Sequence, residues 1–199
     1  MILRNKQKLM NLIYLHGFQS TPLSMKGRWL KDYVEQQTHI KIHLPDLNMP
    51  PLDVMKNMES LIHSLDNVAI VGSSLGGFYA TQLVAKFAVP AVLINPAMRP
   101  WKLFQDLFGD EQIPYKVCDT WTLDHAHLID LEQLAVPFVQ DADKIMVLLQ
   151  QGDEVLDYRE AERYYKRSLL ISESNGNHAM DDFKTKIPMA LQFLSDSIK

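Results

Sequence analysis

Short, uninterrupted apolar runs recur along the chain, at residues 9–15, 40–44, 68–71, 91–94, 145–149 and 168–171. A strand with one face in water alternates apolar and polar positions, whereas a strand covered on both faces need not. The runs therefore predict strands buried on both sides, as in a parallel sheet. Between them the apolar positions change period. Leu52, Met55, Leu61, Ile62 and Leu65 keep a helical spacing, and so do Ile187, Leu191, Leu194 and Ile198. Strands alternating with helices imply βαβ units. The expected class is α/β: a three-layer α/β/α sandwich around a mainly parallel sheet.

One interval breaks this rhythm. Residues 97–143 hold no clear strand, yet they carry Trp101, Phe104, Phe108, Pro114, Trp121 and Pro137. A bare loop of that length is uncommon in a compact domain. Two readings fit: a small helical excursion or cap over one end of the sheet, or a longer surface crossover with buried aromatics.

Composition narrows the class. With 199 residues, the chain suits one domain, taken as 1–199. Hydrophobic residues at 47% and charged residues at 22% argue against disorder and against a fibrous protein. A net charge of -4 without basic runs speaks against nucleic acid as a partner. A single cysteine, Cys118, excludes an intrachain disulfide and a cysteine-rich zinc site. No apolar run approaches the roughly 20 residues that span a bilayer, so no membrane partner is expected. Arg4, Lys6 and Lys8 ahead of an apolar run have the look of a secretory leader. Asn11 interrupts that run, and it ends in His16-Gly17 without a small-residue cleavage site. It reads instead as the first strand, with the cytoplasm as the expected compartment.

The candidate chemistry centres on Gly72-Ser73-Ser74-Leu75-Gly76-Gly77. It is a Gly-x-Ser-x-Gly pattern with Ser74 in the middle. An apolar run precedes it and a helix-like stretch from Phe78 to Ala85 follows, the strand–turn–helix setting of a nucleophile elbow. Glycines flank the serine because side chains there collide where strand turns into helix. A lone serine is a poor nucleophile; it needs a base, and the base needs an orienting acid. Downstream histidines are His125, His127 and His178. His178 lies in a loop after the last apolar run, at the carboxyl end of a strand, where ligands sit in open α/β sheets. The acid should follow the preceding strand, where Asp153, Glu154 and Asp157 stand. Asp157 has another explanation, as the N-cap of a helix with Glu160 three residues on. Asp153 has none, and it is preferred. The oxyanion donors should be the N–H of Leu75, just after the nucleophile, and one from the loop after the first strand, here assigned to Phe18. His16 precedes Ser74 in the chain and reads as a residue that fixes this loop.

These segments, together with Leu12-Ile13-Tyr14-Leu15-His16-Gly17-Phe18, Ile94-Asn95-Pro96-Ala97-Met98-Arg99-Pro100, Gln150-Gln151-Gly152-Asp153-Glu154-Val155-Leu156-Asp157-Tyr158 and Gly176-Asn177-His178-Ala179, are similar to those of a known group. The chain resembles the α/β-hydrolase superfamily and, within it, the YqiA-like bacterial esterases, over nearly its whole length. The resemblance implies a small cytoplasmic serine esterase whose Ser–Asp–His triad falls on Ser74, Asp153 and His178. Three departures stand out. About seven residues precede the usual first strand, Asn175-Gly176-Asn177 stands where two glycines are more usual, and Met180 replaces an aromatic.

The expected substrate is a small-molecule ester or thioester, attacked through an acyl-enzyme, with no metal and no organic cofactor. The sequence leaves the oligomeric state open. A triad does not discriminate among esters, thioesters and amides, so a thioesterase or amidase is the nearest alternative. A metal-dependent hydrolase could be built on Asp124-His125-Ala126-His127 with Asp130, although residues i and i+2 of a helix do not share a face. The third alternative is a non-catalytic binding protein on a hydrolase fold.

Overall fold

A computed structural model describes residues 8–198; Arg4 and Lys6 of the charged start lie outside them. The first half of the chain runs β1 (Met10–Leu15), α1 (Met25–Val34), β2 (Ile40–His43), α2 (Pro51–His63), β3 (Val68–Ser73), α3 (Leu75–Phe87) and β4 (Ala91–Ile94). Then come α4 (Pro100–Gln112), β5 (Tyr115–Lys116), β6 (Thr122–Leu123), α5 (His125–Leu134), β7 (Ile145–Gln150), α6 (Tyr158–Tyr164), β8 (Leu169–Glu173) and α7 (Phe183–Ser197). The architecture is the expected three-layer sandwich.

Six strands form the central sheet in the order β2-β1-β3-β4-β7-β8, and every pairing is parallel. All residues of β1, β3, β4 and β7 are buried, which is why their sequences read as unbroken apolar runs. Side chains still alternate between two separate cores. Ile13, Leu15, Ile70, Leu93 and Val147 pack under α2, α3 and α5. Leu12, Tyr14, Val71, Ile94 and Leu148 pack under α1 and α7. Helix ends follow local chemistry. The Ser24 hydroxyl caps α1, and Pro occupies the first position of both α2 and α4, where its missing N–H costs nothing.

Strand order reverses beside β1, with β2 on one flank and β3 on the other, the place at which open α/β sheets bind ligands, outside the carboxyl ends of their strands. The loops leaving β1, β3, β4, β7 and β8 all emerge at that end. Residues 97–143 contain α4, an antiparallel β5–β6 hairpin and α5. This stretch is anchored by Phe104, Trp121, Leu123, Leu128 and Leu131, which belong to the same core as α3. Gly109, at φ 59, kinks α4 near its end. No described helix is long and apolar enough to cross a membrane.

Candidate active site

Ser74 sits between β3 and α3 with φ 54 and ψ -118, a conformation that a side chain adopts only under strain. Neighbouring backbone holds it there. The Ser74 N–H donates to the Ile94 carbonyl at 3.0 Å, and the Ala97 N–H donates to the Ser74 carbonyl, also at 3.0 Å. Gly76 explains part of the motif. A Cβ at that position would lie 2.0 Å from the Leu15 carbonyl oxygen, so only glycine lets α3 start against the end of β1.

The loop after β8 brings His178 over Ser74, with Nε2 3.0 Å from Oγ. His178 Nδ1 lies 2.7 Å from Asp153 Oδ2. A carboxylate only accepts, so Nδ1 carries the proton and Nε2 is left to accept from the Ser74 hydroxyl. The other Asp153 oxygen accepts from the N–H groups of Val155 and Leu156, each at 2.8 Å. These two bonds fix the carboxylate, and its side chain is 2% exposed against 21% for His178. The three residues come from loops after β3, β7 and β8, and the fold brings them into one hydrogen-bonded line.

The competing acids have other tasks. Asp157 caps α6, accepting from the Arg159 N–H at 3.0 Å. Glu154 accepts from the His178 N–H at 2.9 Å and so fastens the backbone of the histidine loop. That second task was not apparent in the sequence. Neither was that of Asn95, which is buried and adopts φ 40. Its side-chain amide donates to the carbonyls of Asn177 and His178 at 3.1 and 3.0 Å, while its oxygen accepts from the Gln150 N–H at 2.9 Å. One residue thus ties the ends of β4 and β7 to the histidine loop. The available signal was a polar residue placed directly after a buried strand.

Asn95→Ala removes both donors and leaves the buried Gln150 N–H without an acceptor. The expected loss is about 3 kcal/mol of stability. Calorimetry should show this as a fall in Tm of about 10 °C.

The loop after β1 runs alongside Ser74. A Cβ at Gly17 would stand 3.8 Å from Ser74 Oγ, so this stretch of backbone borders the Ser74 hydroxyl. His16 is 1% exposed and anchors the loop. Its Nδ1–H donates to the Gly17 carbonyl at 2.9 Å, and its Nε2 accepts from the Leu47 N–H at 3.0 Å. The Phe18 ring packs against Phe104 at 4.5 Å between centroids and edge-on to Trp121. Leu75 is the first residue of α3, so its N–H belongs to the first-turn donors that have no partner within the helix.

The histidines of the other proposed centre are placed differently. Asp124 and His127 form a reciprocal cap at the start of α5: the carboxylate accepts from the His127 N–H, and the imidazole accepts from the Asp124 N–H. Among the described residues, no three His, Cys, Asp or Glu side chains gather into a metal-holding group.

The six-stranded parallel sheet with helices on both faces is the α/β-hydrolase fold, and solved structures with that fold are similar to this chain. Est1E from Butyrivibrio proteoclasticus, solved with ferulic acid bound, superposes with a TM-score of 0.72 at 16% identity, covering 100% of this chain and 93% of its own. The mouse alpha/beta hydrolase domain-containing protein 10 gives 0.74 at 14% identity, covering 98% and 92%. The chain belongs to the uncharacterised protein family UPF0227, the YqiA-like family, whose model matches residues 11–195. A UPF0227 protein of Pectobacterium atrosepticum is 27% identical over 153 residues, covering 73% of this chain and 77% of the relative.

Proposed function

We propose that the protein is a serine esterase that hydrolyses small carboxylic esters through an acyl-enzyme. One observation carries this reading: the unbroken line from Ser74 Oγ to His178 at 3.0 Å and on to buried Asp153 at 2.7 Å. In the first half-reaction, His178 Nε2 takes the hydroxyl proton as Ser74 Oγ attacks the ester carbonyl. The nascent imidazolium is stabilised by Asp153, whose charge is already fixed by two backbone donors. Negative charge on the tetrahedral intermediate falls on the N–H groups of Leu75 and Phe18. The intermediate collapses as His178 returns the proton to the leaving alcohol. Water then repeats the sequence and frees the acid. Every proton and bond change is served by these groups, so the cycle calls for no metal and no organic cofactor.

The reading is tested by labelling with a fluorophosphonate, which reacts with serines activated in this way. The expected result is one adduct per chain, mapped to the peptide bearing Ser74 by mass spectrometry, with parallel loss of p-nitrophenyl acetate hydrolysis. Labelling elsewhere, or full labelling with activity retained, overturns it. A matched thioester and amide measured alongside would rank the three acyl classes.

A further inference from the structure

The loop after β1 holds one residue in an unusual backbone state. Phe18 and Gln19 form a turn, and Gln19 adopts φ 52, in the left-handed region. A glycine would sit there without strain, so the turn itself does not call for glutamine. What glutamine adds is its side chain. Its Nε2 donates to the Tyr115 hydroxyl at 2.6 Å, across 96 positions of sequence. Gln19 is exposed. An exposed hydrogen bond stabilises little, no more than the left-handed conformation costs, so stability does not account for the pair.

Tyr115 belongs to β5, in the hairpin of the 97–143 stretch. Its ring stacks on Phe108 with centroids 4.2 Å apart, and Phe108 lies 6.2 Å from Phe104. The same stretch surrounds the residue before Gln19. The Phe18 ring is 4.5 Å from Phe104, 6.1 Å from Phe108, 6.4 Å from Tyr115 and 6.2 Å from Trp121. Phe104 and Trp121 are buried core residues, so this nest of rings is fixed. Past Gln19, the Ser20 carbonyl accepts from Asn48 Nδ2 at 3.0 Å; ahead of it, His16 bonds to the Gly17 carbonyl at 2.9 Å. The backbone from 16 to 20 is thus fastened at both ends by groups near β1 and β2, and in its middle by residues of 97–143. At Gly17 this backbone borders the Ser74 hydroxyl.

A strained residue beside a reacting group, held by a second element, suits a loop whose donors must be set before charge develops. We infer that Gln19 and Tyr115 are positioning residues: their bond ties the β5–β6 hairpin to the loop after β1 and holds the Phe18 N–H in the direction the oxyanion needs. The inference rests on the serine-esterase reading and gives the 97–143 stretch a part in it.

The test compares Gln19→Gly, Tyr115→Phe and the double variant in p-nitrophenyl acetate hydrolysis, beside wild type and Ser74→Ala. Gln19→Gly removes the amide and relieves the strain, so Tm should stay within a few degrees of wild type. Tyr115→Phe keeps the stack on Phe108 and loses only the acceptor. Deleting an oxyanion donor costs about 10²- to 10³-fold in kcat, and loosening one should cost about tenfold. Each single variant should therefore lose about tenfold in kcat with KM within about twofold. The double variant should lose no more than either single, because both remove the same bond. Affinity for phenylboronic acid, whose serine adduct places a charged oxygen at the same donors, should fall by about the same factor. The pH at which kcat is half-maximal, which reports His178, should not move. A pair that only supports the fold would lower Tm and leave kcat and boronate affinity at wild-type values, which overturns the inference. So does a double variant whose losses multiply. Hydrolysis that depends on Ser74 yet ignores both side chains overturns this inference alone; hydrolysis that survives Ser74→Ala overturns the esterase reading and this inference with it.

Discussion

Ser74→Ala is expected to lower kcat for p-nitrophenyl acetate by about 10⁴- to 10⁶-fold, the range seen when a triad nucleophile is removed. The loss follows from the position of the hydroxyl. Oγ stands 3.0 Å from the imidazole nitrogen that would take its proton, and alanine offers no atom there. The substitution should leave the fold intact. The bonds that hold residue 74 run through its backbone, to Ile94, Gly77, Phe78 and Ala97, and alanine keeps them all. Alanine also meets the same backbone strain at φ 54 as serine does. A Tm within a few degrees of wild type, with kcat lowered by that factor, is the outcome that supports the mechanism. A Ser74→Ala protein that hydrolyses the ester at the wild-type rate removes serine catalysis from this chain.

The sheet was legible because its interior strands are covered on both sides. Residues 68–71, 91–94 and 145–149 have no solvent face to encode, so each reads as an unbroken apolar run. The elbow was legible for a related reason: Gly76 packs so closely against β1 that no other residue fits. Residues 97–143 were harder to read. The strands of the β5–β6 hairpin are two residues long, too short for any period to register. Asp124 and His127 resembled ligands, yet a helix cap calls for the same residue types at a three-residue spacing. Asn95 gave one local sign, a polar residue directly after a buried strand, but none of its partners, because Asn177 and His178 lie 82 and 83 positions away. Glu154 was weighed as an acid for its side chain, whereas its partner is the backbone N–H of His178. Contacts between distant loops leave no trace in a single sequence.

Asp153→Asn should cost about 10⁴-fold in kcat, through the tautomer of the base and not through the fold. Two backbone N–H groups, from Val155 and Leu156, point at Asp153 Oδ1 at 2.8 Å. An asparagine in this position must keep its carbonyl oxygen there, because an NH₂ would face two donors. Its NH₂ then turns to His178 Nδ1 and donates to it. The imidazole proton consequently moves to Nε2, and a protonated Nε2 cannot accept from Ser74. The turn keeps both of its bonds, so stability changes little, while kcat falls and KM stays near its wild-type value. Asp157→Ala is the informative contrast. It removes the cap of α6 and should lower stability by about 1 kcal/mol. Turnover should stay within about threefold of wild type, because the Asp157 carboxylate makes its bonds to Arg159 on α6, whereas His178 is held by Asp153. Steady-state kinetics on the two variants therefore separates the acid that orients the histidine from the one that caps the start of a helix. A large kcat loss in Asp157→Ala with normal turnover in Asp153→Asn would exchange their roles.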